Sequence, residues 1–395
     1  MSLFFFEVNK VITSPAGLYL HIPFCVRKCV YCDFNSYADQ NALVAPYIFA
    51  LQREISTCAG QCVGYETFQT LYVGGGTPTV LPVADLVALI TAARAGFSLP
   101  ADAEITVEVN PGTVSIAGLA ALRAAGVNRL SVGVQSLDDA KLALLGRIHS
   151  ADQARQAVRY AREAGFENLN LDLILGLPTQ TLAEWQADVE EALSLAPEHL
   201  ALYALTVEAG TPLAEQIVHG ILPAPDDDLV ADMYIWAEAR LQAAGYEHYE
   251  ISNWARPGLA CRHNLIYWRN QPYLGLGAGA HSWWKGSRRA NLAHPGRYIA
   301  AVQEEKSPVE WEELIDRPLE MGETMMMGLR LLQEGVTYAR FAARFGVDLE
   351  EAYGREIDDL VAQGLLERTA QGIRLTSRGH LLGNLVFGRF LPDHA

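Results

Sequence analysis

Between residues 17 and 207, six short runs rich in β-branched and aromatic residues alternate with longer segments that carry apolar residues at helical spacing. The runs are GLYLHI (17–22), FQTLYV (68–73), AEITVEV (103–109), NRLSVGV (128–134), NLNLDLIL (168–175) and HLALYALTV (199–207). Segments 83–95, 115–125, 151–164 and 181–195 lie between them, and Gly96, Gly126 and Gly165 read as C-terminal caps of three of these helices. Repeated β–α units with short connections predict an α/β protein with a parallel sheet and its helices outside. Right-handed crossovers then curl the units into a barrel or part of one.

In such a fold the ligand site lies at the C-terminal ends of the strands. The unusual residues of this chain fall there: HIPFC, GGGTPT, EVNP, GVQS, DLILGLP and LTVE each close one of the six runs. Six strand ends carrying polar or Gly/Pro punctuation argue for one shared site.

The bulk composition narrows the partners. A net charge of −16 over 395 residues argues against nucleic acid, where phosphate neutralisation needs basic surface. A local arginine cluster can still receive a small anion. No stretch approaches the ~20 consecutive apolar residues that span a bilayer, so membrane insertion is not expected. The opening MSLFFFEVNK has an acidic residue after its apolar triplet and no small-residue cleavage site, which argues against a signal peptide and for a cytoplasmic protein. Six cysteines in a chain this long are too sparse for a disulfide framework and point to metal or redox chemistry.

The pattern changes near residue 250, so residues 1–250 read as the barrel domain. Residues 251–317 form a connecting region whose stretch 258–284 is rich in Gly and aromatics and does not read as a regular unit. From 318 to 395, three helical stretches precede GLLERTAQGIRLTSRGH, which reads as a hairpin turning near Gly372, so a winged-helix-like α+β domain is expected. Eight Arg against eleven Asp/Glu give this domain a net charge of −3, which favours a structural or lid role over reading DNA.

Cys25, Cys29 and Cys32 set three thiols in the pattern C-x3-C-x2-C at the end of the first run. Thiolates suit zinc or an iron–sulfur cluster. A structural zinc wants four protein ligands, and no second CxxC or HxxxH pair completes such a set. Three ligands on a four-iron cluster leave one iron open. The alternative is three small buried hydrophobes, which this spacing at a strand end disfavours. Cys58 and Cys62, one helical turn apart, read as incidental or mildly redox-sensitive, and the MMM run at 325–327 reads as core.

The stretch YLHIPFCVRKCVYC (19–32) resembles the radical SAM superfamily. More narrowly it resembles the branch that contains oxygen-independent coproporphyrinogen III dehydrogenase (HemN) and the heme chaperone HemW. The similarity runs over nearly the whole chain. It implies a partial (β/α) barrel of the radical SAM type and a [4Fe-4S] cluster on Cys25, Cys29 and Cys32. It also implies S-adenosyl-L-methionine chelated by the open iron, where reductive cleavage would yield a 5′-deoxyadenosyl radical. GGGTPT (74–79) resembles the family's glycine motif, placing Gly75, Gly76 and Thr77 beside the methionine moiety, where a Cβ would block close approach. Glu108, Gln135, Arg147 and Asp172 match cofactor-contacting positions of the family, and Tyr19, Tyr31 and Thr206 fit as side walls.

Within that branch, the dehydrogenases carry an additional cysteine just after the third ligand and a longer N-terminal extension. Here Asp33 and Phe34 follow Cys32, and 24 residues precede Cys25. The segment CRHNLIYW (261–268) resembles an HNxxYW motif associated with the chaperones. On that reading His263 or Cys261 would be an axial ligand to heme iron. Tyr267 and Trp268 would then wall the macrocycle, with His281 as a lesser candidate and Arg288 and Arg289 as propionate partners. The bland alternative is that His263 and Asn264 cap a loop.

The resemblance therefore implies a heme chaperone that binds a cluster, S-adenosyl-L-methionine and heme and delivers heme to an acceptor protein; it also admits a homodimer. No residue is assigned a catalytic role. The alternative is an enzyme of the coproporphyrinogen dehydrogenase type in porphyrin biosynthesis, and a third reading is an iron–sulfur or heme sensor acting through the C-terminal domain.

Overall fold

The computed structural model describes residues 15–62 and 68–392. The signal-peptide expectation concerns residues 1–10, which lie outside the described residues. The strands are β1 (Ala16–Ile22), β2 (Phe68–Gly75), β3 (Glu104–Val109), β4 (Arg129–Gln135), β5 (Leu169–Leu175), β6 (His199–Ala204), β7 (Glu247–Glu250), β8 (Asn253–Ala255), β9 (Tyr273–Leu276), β10 (His281–Trp284), β11 (Ser287–Asn291), β12 (Val309–Leu314), β13 (Val336–Thr337), β14 (Leu366–Arg368) and β15 (Gly372–Leu375). Strands β1 to β6 pair in sequence order, each parallel to the next. Beyond β1 the same sheet continues through β9, β10, β11 and β12, and beyond β6 through β8 and β7, leaving β12 and β7 as its two edges. The barrel is therefore partial.

Alternation along each strand gives this sheet two different faces. Leu18, Leu20 and Ile22 of β1, Leu71 and Val73 of β2, Ile105 and Val107 of β3, and Leu130 and Val132 of β4 are almost fully buried in one apolar core. Their strand neighbours are of another kind: Tyr19 and His21, Thr70 and Tyr72, Thr106 and Glu108, Arg129 and Ser131. Because successive side chains point to opposite faces, the first set packs on the helices and the second lines the barrel interior. A polar interior is costly unless its groups find partners, and this one holds the site.

Gly126 (φ +100°) and Gly165 (φ +86°) follow the helices Ile116–Ala124 and Ala151–Glu163 in the left-handed conformation that helix termini favour. Gly96 differs from expectation. It is the last residue of the helix Val83–Gly96, and Ser98 takes the positive φ instead. A Cβ on Gly96 would stand 3.0 Å from the Cβ of Ala59, so the glycine sets how closely the helices Val83–Gly96 and Asn41–Gln61 approach.

The stretch 258–284 is more regular than its composition suggests, with the helix Arg262–Trp268 followed by β9 and β10. The C-terminal residues form a separate core around Met325, Leu329, Phe341, Ile357 and Phe387, with β14 and β15 as an antiparallel hairpin and β13 as its third strand. Met325 is fully buried there. This domain docks on the β7 edge, where Leu332 N–H donates to the Tyr249 carbonyl (3.1 Å) and Ile251 N–H to the Arg330 carbonyl (3.3 Å). No helix among the described residues is long and apolar enough to cross a membrane.

Candidate cluster and cofactor cavity

The C-terminal ends of β1 to β6 open into one cavity of about 470 Å3. Cys25, Cys29, Cys32, Tyr31, Gly75, Gly76, Thr77, Glu108, Gln135, Arg147, Asp172 and Thr206 all line it. Residues spread over 182 positions of sequence thus meet because each closes its own strand or follows one closely.

The cysteine loop is pinned by backbone bonds to its surroundings. Cys25 N–H donates to the Tyr37 carbonyl (3.0 Å), Val30 N–H to that of Leu145 (3.2 Å), and Leu213 N–H to that of Val30 (2.9 Å). Thr77 Oγ1 lies 3.6 Å from Cys25 Sγ, and Arg147 donates through Nη1 to Cys29 Sγ at 3.3 Å. Burial raises the Cys25 and Cys32 pKa values, so both thiols want a cation or metal to favour the thiolate. The buried Nε of Arg147 has no hydrogen-bond partner.

The glycine run is explained by protein packing as well as by ligand approach. A Cβ on Gly74 would meet the Glu108 carboxylate at 2.8 Å, and one on Gly76 would meet the Phe24 carbonyl at 2.6 Å and Cys25 Sγ at 3.0 Å. Gly75 has φ +115°, and a Cβ there would strike the His21 ring at 2.6 Å. With no side chain in the way, Gly75 N–H donates to Glu108 Oε2 (3.0 Å), and Tyr72 OH donates to Oε1 (2.9 Å).

Asp33, Glu108, Asp172 and Glu208 bring four carboxyl groups to the cavity lining. Burial and the nearby Asp172 charge push Glu108 up to about 7, while burial pushes Asp172 up to about 6. Asp172 accepts from Asn170 Nδ2 (2.6 Å) and Ser131 Oγ (3.4 Å). Gln135 sits at a register break in β4 with φ +69°, in the left-handed region that non-glycine residues adopt uncommonly. Tyr72, Ser131 and Tyr203 also line the cavity and escape the motif-based reading; their signal is the period-2 alternation of β2, β4 and β6.

Three thiols with no fourth cysteine and no histidine among the described residues of the lining, glycine-lined backbone beside them, buried carboxylates and an under-partnered arginine suit a cluster with one open iron and a zwitterionic, cationic ligand. Tyr19 is not among the residues that line the cavity. It lies below, donating to His21 Nδ1 (2.9 Å), with its ring against Tyr72. His21 Nε2 donates to the Asn35 carbonyl (2.8 Å), so this pair latches β1 to the end of the cysteine loop.

His263 and Cys261 lie elsewhere in the barrel. Both are buried at the opposite, N-terminal end of the barrel, and neither is brought to the cavity. His263 Nδ1 bonds Thr70 Oγ1 (2.7 Å) and Nε2 bonds Tyr267 OH (2.8 Å), so both ring nitrogens are occupied. Burial lowers the His263 pKa to about 3 and raises that of Cys261 to about 12. The helix Arg262–Trp268 lacks a side-chain cap of its own; Glu104 of β3 accepts from the backbone N–H of Arg262 and of His263, each at 3.0 Å. The CRHNLIYW motif in this arrangement is a plug. His281 is exposed beside the Trp311 ring, and Arg288 is engaged with Glu323 (2.6 Å).

The fold and the cavity define a radical SAM protein, and residues 19–192 match the Radical SAM superfamily while residues 315–382 match the HemN C-terminal domain. Over 97% of its length the chain is 38% identical to the heme chaperone HemW of Lactococcus lactis, covering 99% of that protein. It is likewise 38% identical to HemW of Escherichia coli K12 over 96% of this chain and 99% of that one. Its fold is similar to the solved structure of Escherichia coli coproporphyrinogen III oxidase (HemN), a radical SAM enzyme, with TM-score 0.84, 26% identity, and coverage of 97% and 91% of the two chains. The chain belongs to the HemW family of radical SAM proteins.

Proposed function

We propose that this protein is a heme chaperone that carries a [4Fe-4S] cluster on Cys25, Cys29 and Cys32 and S-adenosyl-L-methionine beside it, and hands heme to an acceptor protein in a reducing, cytoplasmic compartment. When bound, the cluster supplies an open iron and a source of one electron beside the sulfonium. The chain's own residues bind and orient. Glu108 and Asp172 offer carboxylates to an ammonium group or ribose hydroxyls, Arg147 balances thiolate charge, and the glycine run lets backbone amides come close.

The observation that carries the cofactor part is the convergence of three thiols and the carboxylates of Glu108 and Asp172 in one cavity whose described lining has no fourth cysteine and no histidine. The chaperone part rests on near full-length similarity to proteins of that name and on Asp33 and Phe34 standing where the enzymes of the branch carry a further cysteine. Phe34 is 66% exposed at the cavity mouth, with Arg27 and Lys28 beside it. That rim, an apolar surface flanked by cations, suits a flat macrocycle with two carboxylates.

The test is an anaerobic heme titration of cluster-reconstituted protein, followed by its visible spectrum. A saturable Soret band at about one heme per chain supports the chaperone. Turnover of coproporphyrinogen with S-adenosyl-L-methionine and no specific heme binding would establish the dehydrogenase reading instead, which the similarity to HemN favours.

A further inference from the structure

Far from the cysteine cavity, Glu238, His248 and His380 bring three ligand atoms within 4.8 Å of one another. Glu238 is on the helix Asp227–Ala243, His248 on β7, and His380 on the short helix Ser377–Leu381 of the C-terminal domain. Glu238 Oε1 is 3.0 Å from His248 Nδ1 and 3.2 Å from His380 Nδ1. The three line a cavity of about 560 Å3 between the barrel and the C-terminal domain, which Glu247 and Glu367 also face.

The tautomer of His248 makes this grouping more than a pair of surface contacts. Its Nε2 faces the Ile251 carbonyl (3.3 Å) and the Tyr234 hydroxyl (3.4 Å), while its Nδ1 faces Glu238 Oε1 (3.0 Å), so a neutral ring can donate to the carbonyl or to the carboxylate but not to both. With the proton on Nε2, Nδ1 turns a lone pair towards a carboxylate oxygen. That juxtaposition calls for a positive charge between them, either a proton or a metal ion. An imidazole that gives its far N–H to a backbone carbonyl while its near nitrogen faces a carboxylate is oriented as metal-bound histidines are. The spacing agrees: with bonds of about 2.0–2.1 Å, tetrahedral geometry sets ligand atoms about 3.3 Å apart. The ring of His248 is further held by stacking on Trp254, centroids 3.9 Å apart.

We propose that Glu238, His248 and His380 form a site for a zinc-class divalent ion that clamps the C-terminal domain to the barrel, with the fourth position open to the adjoining cavity. Two imidazole nitrogens and one carboxylate oxygen are a donor set that zinc accepts, and calcium or magnesium, which prefer oxygen, would not compete. The ion would join residues 142 positions apart across the domain boundary.

The experiment uses cluster-reconstituted protein, so that Cys25, Cys29 and Cys32 are engaged, equilibrated with buffered Zn2+ and analysed for zinc and iron per chain. Close to one zinc per chain is expected. His380→Gln, at the periphery of the fold, should weaken retention by about tenfold or more, and His248→Gln likewise. Circular dichroism checks that each variant is folded, and His380→Gln alone decides if His248→Gln is not. If the cluster cannot be installed, a Cys25→Ala, Cys29→Ala, Cys32→Ala chain removes the competing thiols and asks the same question independently. Zinc retention no greater than that of a Glu238→Gln, His380→Gln chain would overturn the proposal and leave the cluster as a protonated histidine–carboxylate clamp.

Discussion

Glu104 Oε1 accepts the backbone N–H of His263 at 3.0 Å, across 159 positions of sequence. With Oε2 on Arg262 N–H, one buried carboxylate caps the helix Arg262–Trp268 and seats it in the floor of the barrel. Anion capping of exposed helix N–H groups is favourable, and burial makes it more so. Glu104→Ala should therefore destabilise the protein by about 2–4 kcal/mol, since it strands two buried donors. Chemical denaturation of wild type and variant checks the value; a loss below about 0.5 kcal/mol would contradict the capping role.

His263→Ala should lower stability yet leave the Soret maximum of any heme complex unshifted, because both ring nitrogens are engaged within the floor. A shifted Soret band would mean that the floor rearranges to offer this ring to iron.

Loss of any one of Cys25, Cys29 or Cys32 to Ala should abolish the visible absorbance of the reconstituted cluster. Cys58→Ala should leave it intact, since Cys58 is not among the cavity's lining residues and burial raises its thiol pKa to about 12.

Gly76→Ala places a Cβ 2.6 Å from the Phe24 carbonyl and 3.0 Å from Cys25 Sγ. Backbone cannot yield cheaply there, so the first cysteine should be displaced. Iron and sulfide content after reconstitution should fall well below wild type, accompanied by a stability loss on the order of 1–3 kcal/mol. Gly60→Ala, which meets nothing within 4 Å, serves as the control.

Glu108, pushed up to about 7 by burial and by Asp172, binds its proton more tightly in the folded chain than in the unfolded one. The sign follows: in the ligand-free protein its contribution to stability falls as pH rises from about 4.5 towards 7 and beyond. Glu108→Gln should flatten that part of the stability profile by on the order of 1–3 kcal/mol between pH 5 and 8. The same change should weaken S-adenosyl-L-methionine binding, measured calorimetrically on the reconstituted protein. A wild-type profile that rises through this window would contradict the buried, proton-retaining carboxyl.

The six barrel strands are legible in the sequence because β-branched runs alternate with helical spacing, and the motif ends gather in one cavity because parallel strands all finish on the same side. What stays hidden depends on distant contacts. Nothing local distinguishes Gly96, a packing glycine, from Gly126, a cap. The helix Arg262–Trp268 hides in an aromatic-rich stretch because its cap comes from Glu104 rather than from a neighbouring Ser or Asp. For the same reason nothing local in the sequence shows that the His263 ring is held between Thr70 and Tyr267. Tyr19 lies beside a recognised motif, and strand alternation carries it towards Tyr72 in the layer below the cavity.

The plug on Glu104 has a consequence for traffic. With its base filled by this helix, the well is reached from the side where the strands end, and what sits deepest there is loaded before whatever covers it. Anything broad that rests on the rim by Phe34 then serves as a lid for whatever was loaded before it.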